Sequence, residues 1–205
     1  MKKIKVIAAT GNKNKLKEFA EIFSAYGFDV EMKSAADCGI FEFPEETEKT
    51  FIGNAFIKAQ YIYDNVNKDS ETIVLADDSG LTVDALGGAP GVFSARYAGE
   101  DATDDDRINK LLGELDGVAE NDRTAAFVCS IAVILPDGTK LNTDGFLRGR
   151  IAFKKKGSNG FGYDPIMYIP EFDKTVAELS SEQKNEISHR GEALRLMADK
   201  LKNVF

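Results

Sequence analysis

Positions 124–136 (TAAFVCSIAVILP) carry no charged side chain, the longest such run in the chain. The run is too short to span a bilayer, which takes about 20 apolar residues, and it reads as a buried strand. Pro136-Asp137-Gly138 turns the chain there. Ala125–Leu135 and Thr139–Ile151 are therefore expected to form a long hairpin. Upstream, Ile4–Ala9 is a short, mostly apolar run that also reads as a buried strand, ending at the turn signal Thr10-Gly11-Asn12. Leu16, Phe19, Ala20 and Phe23 follow at i, i+3, i+4 and i+7, the period of an amphipathic helix, and Gly27 stops it.

The same alternation continues. A helix is expected from Thr50 to about Val66, with Phe51, Ala55, Ala59, Ile62 and Val66 on one face. Thr72–Ala76 is a β-branched strand that delivers Asp77-Asp78-Ser79-Gly80, and a glycine-rich loop follows at Gly87-Gly88-Ala89-Pro90-Gly91. Thr103 caps a helix whose first turn holds Asp104, Asp105 and Asp106 and whose buried face holds Ile108, Leu111, Leu112 and Leu115. Arg190–Val204 is helical through Ala193, Leu194, Met197 and Leu201. The expected class is α/β with a mixed sheet.

At 205 residues and without a repeat or linker, the chain is expected to form a single domain over 1–205. It carries 26 Lys and Arg against 34 Asp and Glu, a net charge of −8. That balance argues against a non-specific nucleic-acid partner, and a polyanionic small ligand needs local cations or a metal. Cys38 and Cys129 form no C-x-x-C, and Met1–Lys5 opens no signal-like apolar segment, so a reduced, cytoplasmic protein is expected. One histidine, His189, excludes a multi-histidine zinc site within one chain.

Four places can carry chemistry. Thr10-Gly11-Asn12-Lys13-Asn14-Lys15 runs from a strand through glycine into a helix start, where free N–H groups, the helix dipole and two lysines make an anion cradle. It is not a Walker A loop. Asp77-Asp78-Ser79-Gly80 stands at a strand C-terminus, where ligands of α/β sheets sit. Neighbouring strand residues face opposite ways, so both aspartates meet one ligand only if Ser79-Gly80 ends the strand. Magnesium takes one or two carboxylates plus phosphate oxygens and waters, and Glu45-Glu46 after Pro44 offers a further ligand. Gly157–Pro165 (GSNGFGYDP) places glycines beside Phe161 and Tyr163, either of which can stack on a flat ring. Lys184 with His189 and Arg190 gives three donors within seven residues, just before the last helix.

Taken in order, T-G-N-x-x-K, A-D-D-S-G-L, L-G-G-A-P-G-V-F-S-A-R-Y-A-G, G-F-G-Y-D-P-I and S-H-R-G resemble the inosine triphosphate pyrophosphatase family over Thr10 to about Leu196. The resemblance implies a long mixed sheet in two lobes around a cleft, Mg²⁺-dependent hydrolysis of ITP, dITP and XTP to monophosphate and pyrophosphate, and a homodimer. It implies phosphate binding by Thr10, Gly11, Asn12, Lys13, Asn14 and Lys15, and metal binding by Glu45 and Asp78. Asp78 is also implied as proton acceptor, with Asp77 the alternative, and Ser79, Phe161, Gly162, Tyr163, Asp164, Lys184, His189 and Arg190 as substrate contacts. Two departures stand out. Gly53 occupies the glutamate position of T-F-x-E-N-A, and Lys154-Lys155-Lys156 replaces a loop that usually holds proline.

Overall fold

The computed structural model describes residues 2–204, apart from the side chain of Asn14, so that part of the expected anion cradle lies outside the described residues. Strand β1 (Lys2–Ala8) runs parallel to both β2 (Phe28–Ser34) and β3 (Thr72–Val83). With β4 (Thr124–Ile134), β5 (Lys140–Ile151), β6 (Met167–Ile169) and β7 (Lys174–Thr175), these make one sheet in the order β2-β1-β3-β4-β5-β6-β7. The β5–β6 and β6–β7 pairs are antiparallel. Five α-helices stand among the described residues: α1 (Lys13–Ala25), α2 (Phe51–Asn65), α3 (Asp104–Glu114), α4 (Ser181–Ile187) and α5 (His189–Lys202). This is the mixed α/β class that the sequence predicts.

The chain divides into two compact units, and β3, β4 and β5 each run from one into the other. The first unit comprises residues up to Asp78, Cys129–Gly145 and the segment from Arg190 onward. Here period-2 alternation along β3 sorts its side chains to two faces. Ile73 and Leu75 pack with Phe19 and Phe23 of α1 and with Leu194 and Met197 of α5. Val74 and Ala76 pack with Ala55, Ala59 and Ile62 of α2. α2 begins where expected: Thr50 is extended and its side chain accepts the Gly53 N–H at 3.2 Å. The predicted turn between β4 and β5 is closed by the Leu135 N–H on the Thr139 carbonyl at 2.9 Å.

The second unit comprises Ser79–Val128 and Phe146–His189. Its core joins Leu81 and Val83 of β3, Ile108, Leu111 and Leu115 of α3, Phe127 of β4 and Leu147 and Ile151 of β5. α3 starts in a reciprocal capping box, the Thr103 side chain accepting from the Asp106 N–H and the Asp106 carboxylate accepting from the Thr103 N–H.

Two expectations about element ends are corrected. β3 does not stop at Ser79-Gly80 but continues to Val83, because Leu81 and Val83 are both fully buried and carry the extended backbone past the polar residues. Lys184 also does not simply precede the last helix. It lies in α4, which has its own capping box between Ser180 and Gln183, while His189 and Arg190 open α5. Among the described residues no helix is long and apolar enough to cross a membrane.

Candidate active site

Since β3 is unbroken at Asp77 and Asp78, the two carboxylates follow the alternation set by the residues before them. Asp77 continues the Ile73–Leu75 face and meets α1 and α5. Its Oδ2 accepts a hydrogen bond from Lys15 Nζ at 2.7 Å and faces Arg190 Nε at 3.6 Å. The other side of that guanidinium, Nη1, stands 3.2 Å from Glu18. Asp77 is only 4% exposed. Burial alone pushes its carboxyl up, yet Lys15 and Arg190 together outweigh that and hold it below the usual carboxylate range. It is a buried anion with two cations around it.

Asp78 continues the Val74–Ala76 face and meets α2. Asn54 Nδ2 donates to its Oδ2 at 3.3 Å, and Lys58 Nζ stands 3.6 Å from its Oδ1. The same ammonium donates to Glu46 Oε1 at 2.7 Å. Burial works against the charge of Lys58, but Asp78 and Glu46 keep its pKa above the ordinary lysine value. Asn54, itself fully buried, also accepts the Glu48 N–H at 2.9 Å and so ties the 44–49 segment to Asp78. Glu46 is thus the acidic residue of that segment placed beside Asp78, while Glu45 is exposed and forms no ion pair among the described residues. Gly53 has a local reason: a Cβ there would lie 2.7 Å from Glu48 Cβ, so Glu48 occupies the room a side chain at 53 would need.

At the start of α1, Thr10 Oγ1 accepts the Asn12 N–H at 3.1 Å and Asn12 Oδ1 accepts the Lys15 N–H at 3.3 Å. Asn12 thereby caps the helix and shapes the turn, with Gly11 and Lys13 exposed. The Lys15 side chain of this segment is drawn to Asp77. Asn54, Lys58, Glu18 and Glu46 complete the first unit's polar cluster. The sequence reading assigned no role to Asn54, Lys58 or Glu18. Their signal was available for two of them, since Asn54 and Lys58 lie four apart on α2 as a polar stripe beside its apolar face.

In the second unit the Gly157–Pro165 segment is built around Asp164, which is 4% exposed. Its Oδ2 accepts from Lys184 Nζ at 2.6 Å and from the Phe161 N–H at 2.9 Å. Gly160 makes this possible: at φ +81°, a Cβ there would fall 2.0 Å from the same oxygen. Lys184 Nζ also stands 4.7 Å from the centre of the Phe161 ring. The two aromatic candidates separate clearly. Phe161 is 68% exposed, whereas Tyr163 is buried with its hydroxyl donating to the Ser94 carbonyl at 3.0 Å. Burial pushes the Tyr163 phenol up to about 12. Phe161 is therefore the exposed ring. His189 stacks on Phe127 at 5.3 Å, and Ser79 is half-buried on β3. Lys184 and Arg190, close in sequence, serve different carboxylates, Asp164 in the second unit and Asp77 in the first.

The donors around Asp78 are carboxylate oxygens, hard ligands suited to a divalent cation, and an ammonium already stands between two of them. Among the described residues no three His, Cys, Asp or Glu side chains gather into a metal cage, so a cation there would draw its other ligands from substrate or water.

Residues 6–200 match the model of the Ham1 family. The chain belongs to the Ham1 family. Its Ham1 relatives include the dITP/XTP pyrophosphatase of Bacillus anthracis, 48% identical over 98% of this chain and 97% of the relative. The dITP/XTP pyrophosphatase of Photorhabdus laumondii is 46% identical over 98% and 99%. Among solved structures, the Ham1 protein of Staphylococcus aureus superposes with a TM-score of 0.88 at 42% identity, covering 98% of this chain and all of the other. The Ham1 protein of Coxiella burnetii gives 0.87 at 40% identity over 98% and 99%. Nucleotide pyrophosphatases generally use a divalent metal, in keeping with the carboxylate donors of this Ham1 chain.

Proposed function

We propose that this chain hydrolyses the non-canonical purine nucleoside triphosphates ITP, dITP and XTP to nucleoside monophosphate and pyrophosphate, removing them from the nucleotide pool. The dITP/XTP pyrophosphatases nearly half identical to it support the substrate class. Within the molecule, the observation that carries the reading is Asp78, a carboxylate held by Asn54 and Lys58 beside Glu46. Asp78 orients and deprotonates the attacking water, and the fixed charge of Lys58 holds it in place for that work. Asp77 is bound to Lys15 and Arg190 and serves by positioning those cations. Lys15, Lys13 and the helix start with Thr10, Gly11, Asn12 and Asn14 receive the triphosphate. Mg²⁺ is the proposed metal, held by Asp78 with Glu45, or with Glu46 in its stead. When bound it neutralises charge on the phosphate oxygens. No covalent enzyme intermediate enters the scheme.

At the base end, Phe161 stacks on the purine, and Lys184, His189 and Arg190 supply donors toward the oxygen at C6. Adenine presents an amino donor there and leaves those donors unanswered. Sites that read a base by such pairing discriminate by up to ~10⁴–10⁵-fold. ITP should therefore exceed ATP in kcat/KM by at least about a hundredfold. Equal values for ITP and ATP in a direct competition assay would overturn this base-reading scheme. The resemblance also brings a homodimer into the proposal, which sedimentation tests; the cysteine usage adds a cytoplasmic location, and the length a single working domain.

A further inference from the structure

The first turn of α3 carries three consecutive aspartates, and the function described so far uses none of them. One caps the helix: Asp106 pairs with Thr103. The other two reach the loop that carries Phe161. Asp105 Oδ1 lies 2.9 Å from Lys155 Nζ, in the lysine triplet that leads into the loop. Asp104 Oδ2 accepts the Gly162 N–H at 2.7 Å, and its Oδ1 pairs with Arg107. Arg107 is anchored in turn on the Ala95 and Ala102 carbonyls at 2.7 and 2.8 Å. Gly162 sits in the left-handed region at φ +60°, directly after the exposed Phe161 and directly before the buried Tyr163. The peptide that turns Phe161 outward is therefore fixed by one charge-assisted bond from α3, with Asp164 holding the other side of Phe161 through its N–H. The Arg107 bond and the Gly162 N–H hold the Asp104 carboxyl below its usual range, so the acceptor is fully charged at neutral pH.

We infer that Asp104, seated on Arg107, is a positioning residue for purine recognition: it sets the Gly162 peptide and with it the ring plane that Phe161 offers to the base. This rests on the reading that Phe161 stacks on the nucleotide base. Asp104 touches no substrate and acts only through the loop, so its removal weakens the hold on the base and leaves the hold on the phosphates unchanged.

The test compares wild type, Asp104→Ala, Asp104→Asn, Phe161→Ala and the Asp104→Ala/Phe161→Ala pair. The readouts are KM and kcat for ITP and the inhibition constant of inorganic tripolyphosphate, which has no base. Asp104→Ala should raise KM about tenfold, within what one base–aromatic stack is worth, with kcat held within about twofold. The tripolyphosphate constant should not move. Asp104→Asn, which keeps an acceptor for the Gly162 N–H, should restore most of the loss. In the Phe161→Ala background the Asp104 exchange should add nothing further. Arg107→Gln carries the same test should Asp104→Ala not fold, with a smaller KM rise that likewise vanishes without Phe161. An unchanged KM, a parallel rise in the tripolyphosphate constant, or an equal effect with and without Phe161 overturns the inference while wild-type turnover of ITP still stands. A wild type that does not hydrolyse ITP overturns the proposed function, and the inference with it.

Discussion

Replacing Asp78 by Asn exchanges a carboxylate for an amide of the same shape between Asn54 and Lys58, and should cut ITP turnover by roughly 10²–10⁴-fold, the usual worth of a positioned base. The thermal midpoint should stay near that of wild type, so rate and melting curve together check it; near-normal turnover contradicts the role given to Asp78. Asp77 is a different case. Replacing Lys15 by Met leaves a buried carboxylate with one cation fewer, and should destabilise the fold by about 3 kcal/mol in urea titrations. A loss below about 0.5 kcal/mol would mean that Arg190 alone satisfies Asp77. The sequence could name both aspartates but not their division of labour, since that follows from whether the strand ends at Ser79. Period-2 alternation, carried on from Ile73–Ala76, would have assigned Asp77 to α1 and α5 and Asp78 to α2.

Helix α3 lends itself to a pH experiment. Asp104 has a lowered pKa in the fold, so its contribution to stability is present above the unfolded value and lost as pH falls through the folded one. Asp104→Asn should then be less stable than wild type by a few tenths to about 1 kcal/mol between pH 5 and 8, a modest figure because the side chain is 44% exposed and screened by solvent. The gap should begin to close below about pH 4 and shrink further as the pH falls. A gap that is the same at pH 3 and pH 7 contradicts the ion pair as its source. Helix starts were readable because Thr50 and Thr103 are side-chain caps placed just before apolar periods. The end of β3 was not, because Asp-Asp-Ser-Gly has the composition of a turn while Leu81 and Val83, three and five residues after Asp78, are what hold the backbone extended. Nor was the break between α4 and α5, where Ser188 takes an extended conformation that no glycine or proline announces.

Across the whole molecule, a net charge of −8 opposes the approach of a triphosphate, and cations stand locally beside carboxylates, Lys15 at Asp77 and Lys58 at Asp78. The α/β class and the hairpin were legible from apolar runs and turn residues. Asn54 and Lys58 showed only as a polar stripe on α2, and their partner Asp78, 24 and 20 positions on, did not; nor did the partner of Asp104, which lies 58 positions away. Purified protein incubated with ITP, with and without Mg²⁺, and its products resolved, puts the central claim to the most direct test. Inosine monophosphate and pyrophosphate, formed only when Mg²⁺ is present, is the predicted result. Inosine diphosphate with orthophosphate, or turnover that persists undiminished without a divalent metal, would contradict it.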